Sequence, residues 1–190
     1  MRPDILGAAA LAAALFCARA AAAPERAEPC LACHGERGIA ELENVPSLAG
    51  QPETFLALQM ILFRERIRKV EAMNAVMDGI TDAEIEALAR WYAALPPPAP
   101  APVREPERVA RGRALSAAHR CGVCHLPDYS GQNQVPRLAG QREDYLLHSM
   151  LDYQAGTRQG TDTTMQGVLH GLTPRDLGDL AHYLATARSR

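Results

Sequence analysis

The chain has 190 residues, with 20 Lys and Arg against 22 Asp and Glu and a formal charge of −2. That balance carries no basic footprint of the kind nucleic acid demands, and aromatic residues make up only 5% of the composition. The length holds two small domains and excludes a larger multidomain enzyme.

The leading segment reads as an export signal. Arg2 is followed by an apolar stretch from Ile5 to Cys17 and then by small residues, with Ala20, Ala21 and Ala22 fitting a cleavage pattern. The run is shorter than the roughly 20 apolar residues a spanning helix needs. Phe16 before Cys17 is too bulky for a lipidation site. Removal of residues 1–23 therefore places the mature chain in the periplasm. It also removes Cys17, so the four cysteines that remain all belong to two short motifs.

The first of these is Cys30-Leu-Ala-Cys-His34 and the second Cys121-Gly-Val-Cys-His125. Cys-x-x-Cys-His is the attachment signature of c-type haem. Thiols three residues apart on a helix face one macrocycle and can form thioethers with its vinyl groups, while the adjacent imidazole takes the iron as proximal ligand. Two copies imply two covalent haems on Cys30, Cys33, Cys121 and Cys124, with His34 and His125 as axial ligands. Two units of about 80 residues with so few aromatics need such a group to complete their cores, so the apo-chain is expected to fold poorly.

After the first motif comes Pro46-Ser-Leu-Ala-Gly-Gln51, then a helix predicted from Pro52 to Lys69 with Phe55, Leu58 and Leu62 on one face. Met73 lies in a stretch predicted as loop. A capping box at Thr81-Asp-Ala-Glu84 opens a further helix, with Ile85, Leu88, Ala89 and Tyr92 at helical spacing. Prolines 96, 97, 98, 100, 102 and 106 then form an extended spacer that cannot be helical.

Beyond the spacer the pattern returns. A helix is predicted over Glu107–His119, then the second motif, then Pro136-Arg-Leu-Ala-Gly-Gln141 and a helix from Arg142 to Ala155. Met165 matches Met73, and Thr173-Pro174 opens the last helix, with Leu177, Leu180, Ala181 and Leu184 on one face. Shared order over a whole domain length means duplication. The expected organisation is all-α: signal 1–23, domain 24–95, linker 96–106 and domain 107–190.

The sixth ligand is argued by elimination. His34 is the only histidine of the first mature domain, so methionine must serve there: Met60 sits on an amphipathic helix, Met77 aligns with Leu169, and Met73 alone has a loop counterpart in Met165. Met73 and Met165 are therefore the expected distal ligands, with Met77 and His170 as rivals. His119 is a further second-domain histidine. His148 and His182 fall on predicted helices and are expected at the surface. Thioether ligation favours the ferrous iron and fills the coordination sphere, which suits electron transfer rather than catalysis. A backbone carbonyl near Pro46 or Pro136 could accept the imidazole N–H and fix the ring.

With Cys-x-x-Cys-His, Pro-x-Leu-Ala-Gly-Gln, a methionine and a capped last helix all present twice, the chain resembles the di-haem class I cytochromes c of the cytochrome c4 type. The resemblance implies two class I cytochrome c domains with His/Met iron and Pro46 and Pro136 carbonyls on the proximal histidines. It also implies a role as an electron shuttle to oxidases, reductases or dehydrogenases, some in membrane-bound complexes. Three departures stand out. The family's long helix before the first motif is missing, Arg66 stands where the second copy has Gly156, and Leu126 stands where the first has Gly35.

Other uses of these residues fit less well. Zinc needs four ligands per site, and the first half offers three. A thiol-redox role needs a βαβ setting. A di-haem peroxidase needs one five-coordinate iron. A cytochrome subunit of a periplasmic dehydrogenase, such as a flavocytochrome sulfide dehydrogenase, keeps the same chemistry. With 19 arginines and Lys69 the only lysine, a lysine-ringed docking face is excluded.

Overall fold

The computed structural model describes residues 22–158, 160 and 163–189. Most of the expected signal segment, Cys17 included, lies outside the described residues. Among the described residues every regular element is a helix, and the one β feature is an isolated bridge between Gln132 and Val135. None of its helices is long and apolar enough to cross a membrane.

In the first half a 3₁₀ turn, Glu25–Ala27, leads into α1 (Glu28–His34), followed by α2 (Glu53–Arg64), α3 (Glu71–Val76) and α4 (Asp82–Ala94). The Thr81–Glu84 capping box forms in full, satisfying two backbone donors that α4 would otherwise leave open. The helix buries Ile85, Leu88, Ala89 and Tyr92 against α2 and the 3₁₀ turn. Leu56, Phe63, Met77 and Ile80 complete this core.

The second half comprises α5 (Pro106–Ala118), α6 (Cys121–Cys124), α7 (Glu143–Ala155), α8 (Thr164–Leu169) and α9 (Pro174–Thr186). Here α9 is the central element. It carries a second capping box, Thr173 with Asp176, and packs on α5 and α7. Leu177, Leu180, Ala181 and Leu184 form a separate core with Leu146, Met150 and Leu169.

Three local expectations need correction. The helix predicted from Pro52 to Lys69 stops at Arg64, because the Asn74 side chain brackets the chain that follows. Its Nδ2 donates to the carbonyls of Phe63 (2.7 Å) and Arg68 (2.9 Å), and its Oδ1 accepts from the Val70 amide (2.9 Å). Arg66 adopts φ 54 within this turn, the left-handed conformation that Gly156 takes freely at φ 69 after α7. Second, Met73 and Met165 lie on the short helices α3 and α8 rather than in loops. Third, Pro106 is the first residue of α5 and not the end of the spacer.

The proline spacer is non-helical over residues 96–105, and it is also docked. Gly50 and Gly140 end the two Leu-Ala-Gly turns so close to it that a Cβ on Gly50 would lie 2.7 Å from Pro97 Cβ, and one on Gly140 2.7 Å from the Pro98 carbonyl. The Ala101 amide donates to the Ala185 carbonyl at 2.9 Å. Both halves are thus held against one short stretch of chain.

Candidate haem sites

Each Cys-x-x-Cys-His motif begins on a helical turn. Cys30 and Cys33 lie on α1, with His34 as its last residue; Cys121 and Cys124 lie on α6, with His125 at its C-cap. None of the four is paired in a disulfide. In each pair the second cysteine is exposed and the first is more enclosed, Cys30 buried and Cys121 half-buried. Burial pushes the Cys30 and Cys121 thiols above their ordinary range.

Both imidazoles are buried, His34 at 5% exposure and His125 at 6%. His34 Nδ1 lies 2.9 Å from the Pro46 carbonyl oxygen, and His125 Nδ1 lies 2.8 Å from that of Pro136. A carbonyl can only accept, so Nδ1 carries the proton and Nε2 keeps its lone pair. Burial pushes both imidazoles down from the usual histidine range, partly opposed by these hydrogen bonds, and so favours the neutral ring. Two cysteine sulfurs and a neutral imidazole with its Nδ1 proton anchored are the donor set of c-type haem, and the residues fit the group.

The methionines divide by burial. Met77 is 1% exposed and packs inside the first core, and Met150 is 7% exposed inside the second. Met73 and Met165 are half-buried at the margins of the two clusters, Met73 in the cluster that includes Cys30 and Leu31. Met60 is also half-buried, on α2. His170 is exposed at the end of α8 and His148 on α7. His182, expected at the surface, is instead 5% exposed, because Glu143 of α7 reaches its Nδ1 at 2.7 Å.

One group was not recognised from the pattern. Arg68 and Arg158, equivalent positions of the two halves, approach the Tyr145 hydroxyl, each at 3.4 Å. Arg158 also donates to Ser149 Oγ (2.8 Å) and Arg68 to Gln59 Oε1 (2.7 Å). Neither guanidinium has a carboxylate at ion-pair distance among the described residues. Burial alone would push the Tyr145 hydroxyl up, but Arg158 and Arg68 outweigh it and bring it down to about 7. Both guanidiniums are half-buried beside this hydroxyl. The shared offset between Arg68 and Arg158 was the available signal.

Duplicated helical units, each with a haem-attachment motif and a proline-anchored imidazole, define a di-haem c-type cytochrome of class I. Residues 109–188 match the Cytochrome c family. Cytochrome c4 of Pseudomonas aeruginosa is 30% identical over 87% of this chain and 87% of its own length. A thiosulfate dehydrogenase electron acceptor of Thiomonas intermedia is 34% identical over 90% of this chain and 83% of its own. The solved structure of reduced recombinant cytochrome c4 from Pseudomonas stutzeri superposes with a TM-score of 0.80 at 26% identity, covering 86% of this chain and 95% of that one. The chain belongs to the di-haem cytochrome c4 family. It carries two covalent haem c groups and is an electron carrier rather than an enzyme.

Proposed function

We propose that the protein shuttles single electrons in the periplasm through two His/Met-ligated haems, one per half. Cys30 and Cys33 attach the first and Cys121 and Cys124 the second. His34 with Met73, and His125 with Met165, would hold the two irons. The observation that carries this reading is the matched His–Pro pair, at 2.9 and 2.8 Å, which leaves Nε2 of each ring as the donor.

Haem c supplies a one-electron iron couple when bound. The remaining work belongs to the chain. Pro46 and Pro136 hold the imidazoles in one tautomer and orientation, so the ligand field need not reorganise when charge moves. As a donor, thioether sulfur from Met73 and Met165 would favour the reduced form. Arg68 and Arg158 place positive charge between the halves. Docking to redox partners falls to arginine-bearing surface, since lysine is nearly absent.

Redox titration with ferric-state spectra of the Met73→Ala and Met165→Ala variants tests the ligands. Each variant is expected to lose the sulfur-to-iron charge-transfer band of one haem and to lower that haem's potential. An unchanged spectrum in either overturns that assignment.

A second reading keeps the chemistry and changes the partner: a dedicated acceptor or subunit of a periplasmic dehydrogenase. The thiosulfate dehydrogenase electron acceptor at 34% identity supports it. Fast, saturable reduction by a thiosulfate-oxidising dehydrogenase, with co-purification, would favour this over a general shuttle.

A further inference from the structure

Gln51 and Gln141, the last residues of the two Pro-x-Leu-Ala-Gly-Gln segments, are 5% and 4% exposed, and each side chain reaches into the opposite half, with Gln141 Oε1 also accepting from the Arg142 amide of its own half at 3.0 Å. Gln141 Oε1 accepts from the Ser47 amide at 2.9 Å, and Gln141 Nε2 donates to the Ser47 carbonyl at 2.9 Å. Gln51 repeats this in reverse. Its Oε1 accepts from the Arg137 amide at 3.0 Å, and its Nε2 donates to the Arg137 carbonyl at 3.0 Å. Ser47 and Arg137 occupy the same place in the two copies, so the arrangement is a pseudo-twofold exchange.

The Ser47 amide belongs to the same peptide unit as the Pro46 carbonyl, and the Arg137 amide to that of Pro136. One planar peptide therefore has its N–H held by a glutamine of the opposite half and its oxygen held by a proximal histidine. A peptide that donates through N–H carries more negative charge on its oxygen and becomes a better acceptor. A better acceptor at Nδ1–H makes Nε2 a stronger donor.

We propose that Gln141 positions and tunes His34, and that Gln51 positions and tunes His125, each acting across the domain interface through one peptide unit. This rests on His34 and His125 being the proximal ligands. The two redox sites are then coupled through their protein supports as well as through space, and the potential of each depends on the other half being docked.

The test uses the holo-protein with Gln141→Leu and Gln51→Leu. The two potentials are measured separately, each haem assigned by NMR contacts to the thioethers of Cys30 and Cys33 or of Cys121 and Cys124. Gln141→Leu is expected to raise the potential of the His34 haem more than that of the His125 haem, and Gln51→Leu to do the converse. A shift confined to the variant's own half, equal shifts of both, or no shift overturns the proposal. A purely structural loosening of the interface would move both together.

Amide hydrogen exchange supplies a second readout. In the unmutated protein the Ser47 and Arg137 amides should exchange slowly, and free exchange of either overturns the proposal even if the variants do not fold. In Gln141→Leu, Ser47 should exchange about tenfold faster, the loss of one net hydrogen bond, while Arg137 is unaltered. Absence of two attached haems in the unmutated protein, seen by mass spectrometry, would instead sink the proposed function. The exchange result would still stand on the protein alone.

Discussion

The two halves hold the same histidine–proline pair on different supports. In the second, a thirteen-residue helix, α5, runs into the motif and lies along α9, with Gly112 against the Asp179 backbone and Tyr183. Arg108 and Arg111 of α5 lock onto Asp179, whose side chain is 4% exposed. In the first half a three-residue 3₁₀ turn and the fully buried Ala27 stand in that place against α4. The first half compensates at its other end, where Asn74 ties α3 to the end of α2. Its counterpart Gln166 is exposed, and in the second half Gly156 makes the turn at φ 69, with the Thr157 and Arg158 amides donating to the Asp152 carbonyl. The ligand geometry needs a buried ring and one carbonyl. It does not need one particular helix to provide them.

Removing the feature peculiar to each half tests this contrast. Gly112→Val puts branched carbons where the Asp179 carbonyl and Tyr183 already lie, and should destabilise the second half by about 3 kcal/mol. Denaturant unfolding followed at each haem should show the second half melting first. Asn74→Ala removes the side-chain partner of the Arg68 carbonyl and the Val70 amide, and one of the donors to the Phe63 carbonyl, which keeps the Arg66 amide at 3.1 Å. It should cost the first half about 2 kcal/mol and reverse the order of melting.

A smaller effect separates the halves by acidity. The Arg111 hydrogen bonds hold Asp179 below the usual carboxylate range, against the cost of burial and with Arg108 assisting. A carboxylate depressed in this way adds stability above its unfolded value, about 3.9. That stability is lost as pH falls through the lower folded value. Acid unfolding should therefore weaken the second half below about pH 4, and Asp179→Asn should flatten that dependence. Thermal melts from pH 7 to pH 3 would measure both.

Much of this was legible in advance. The motifs, the duplication, both capping boxes and the amphipathic faces of α4 and α9 all depend on spacings of a few residues. The carbonyls of Pro46 and Pro136 were within reach because they lie twelve and eleven residues from their histidines. The end of α2 was misplaced because Asn74 acts from outside the helix whose periodicity was read. His182 was misjudged because its partner, Glu143, lies 39 residues away on another helix. Gln51 and Gln141 were visible only as the ends of the two repeated segments, since their partners are 86 and 94 residues distant.

The amino-acid order alone pointed to two haems and to the thiols and imidazoles proposed to hold them, because thiol–thiol–imidazole spacing is a local property of the chain. Which glutamine serves which histidine, where the arginines converge and how the spacer is docked were decided only by folding. Those contacts join residues with no short-range pattern, and only packing two copies face to face brings them within hydrogen-bond distance.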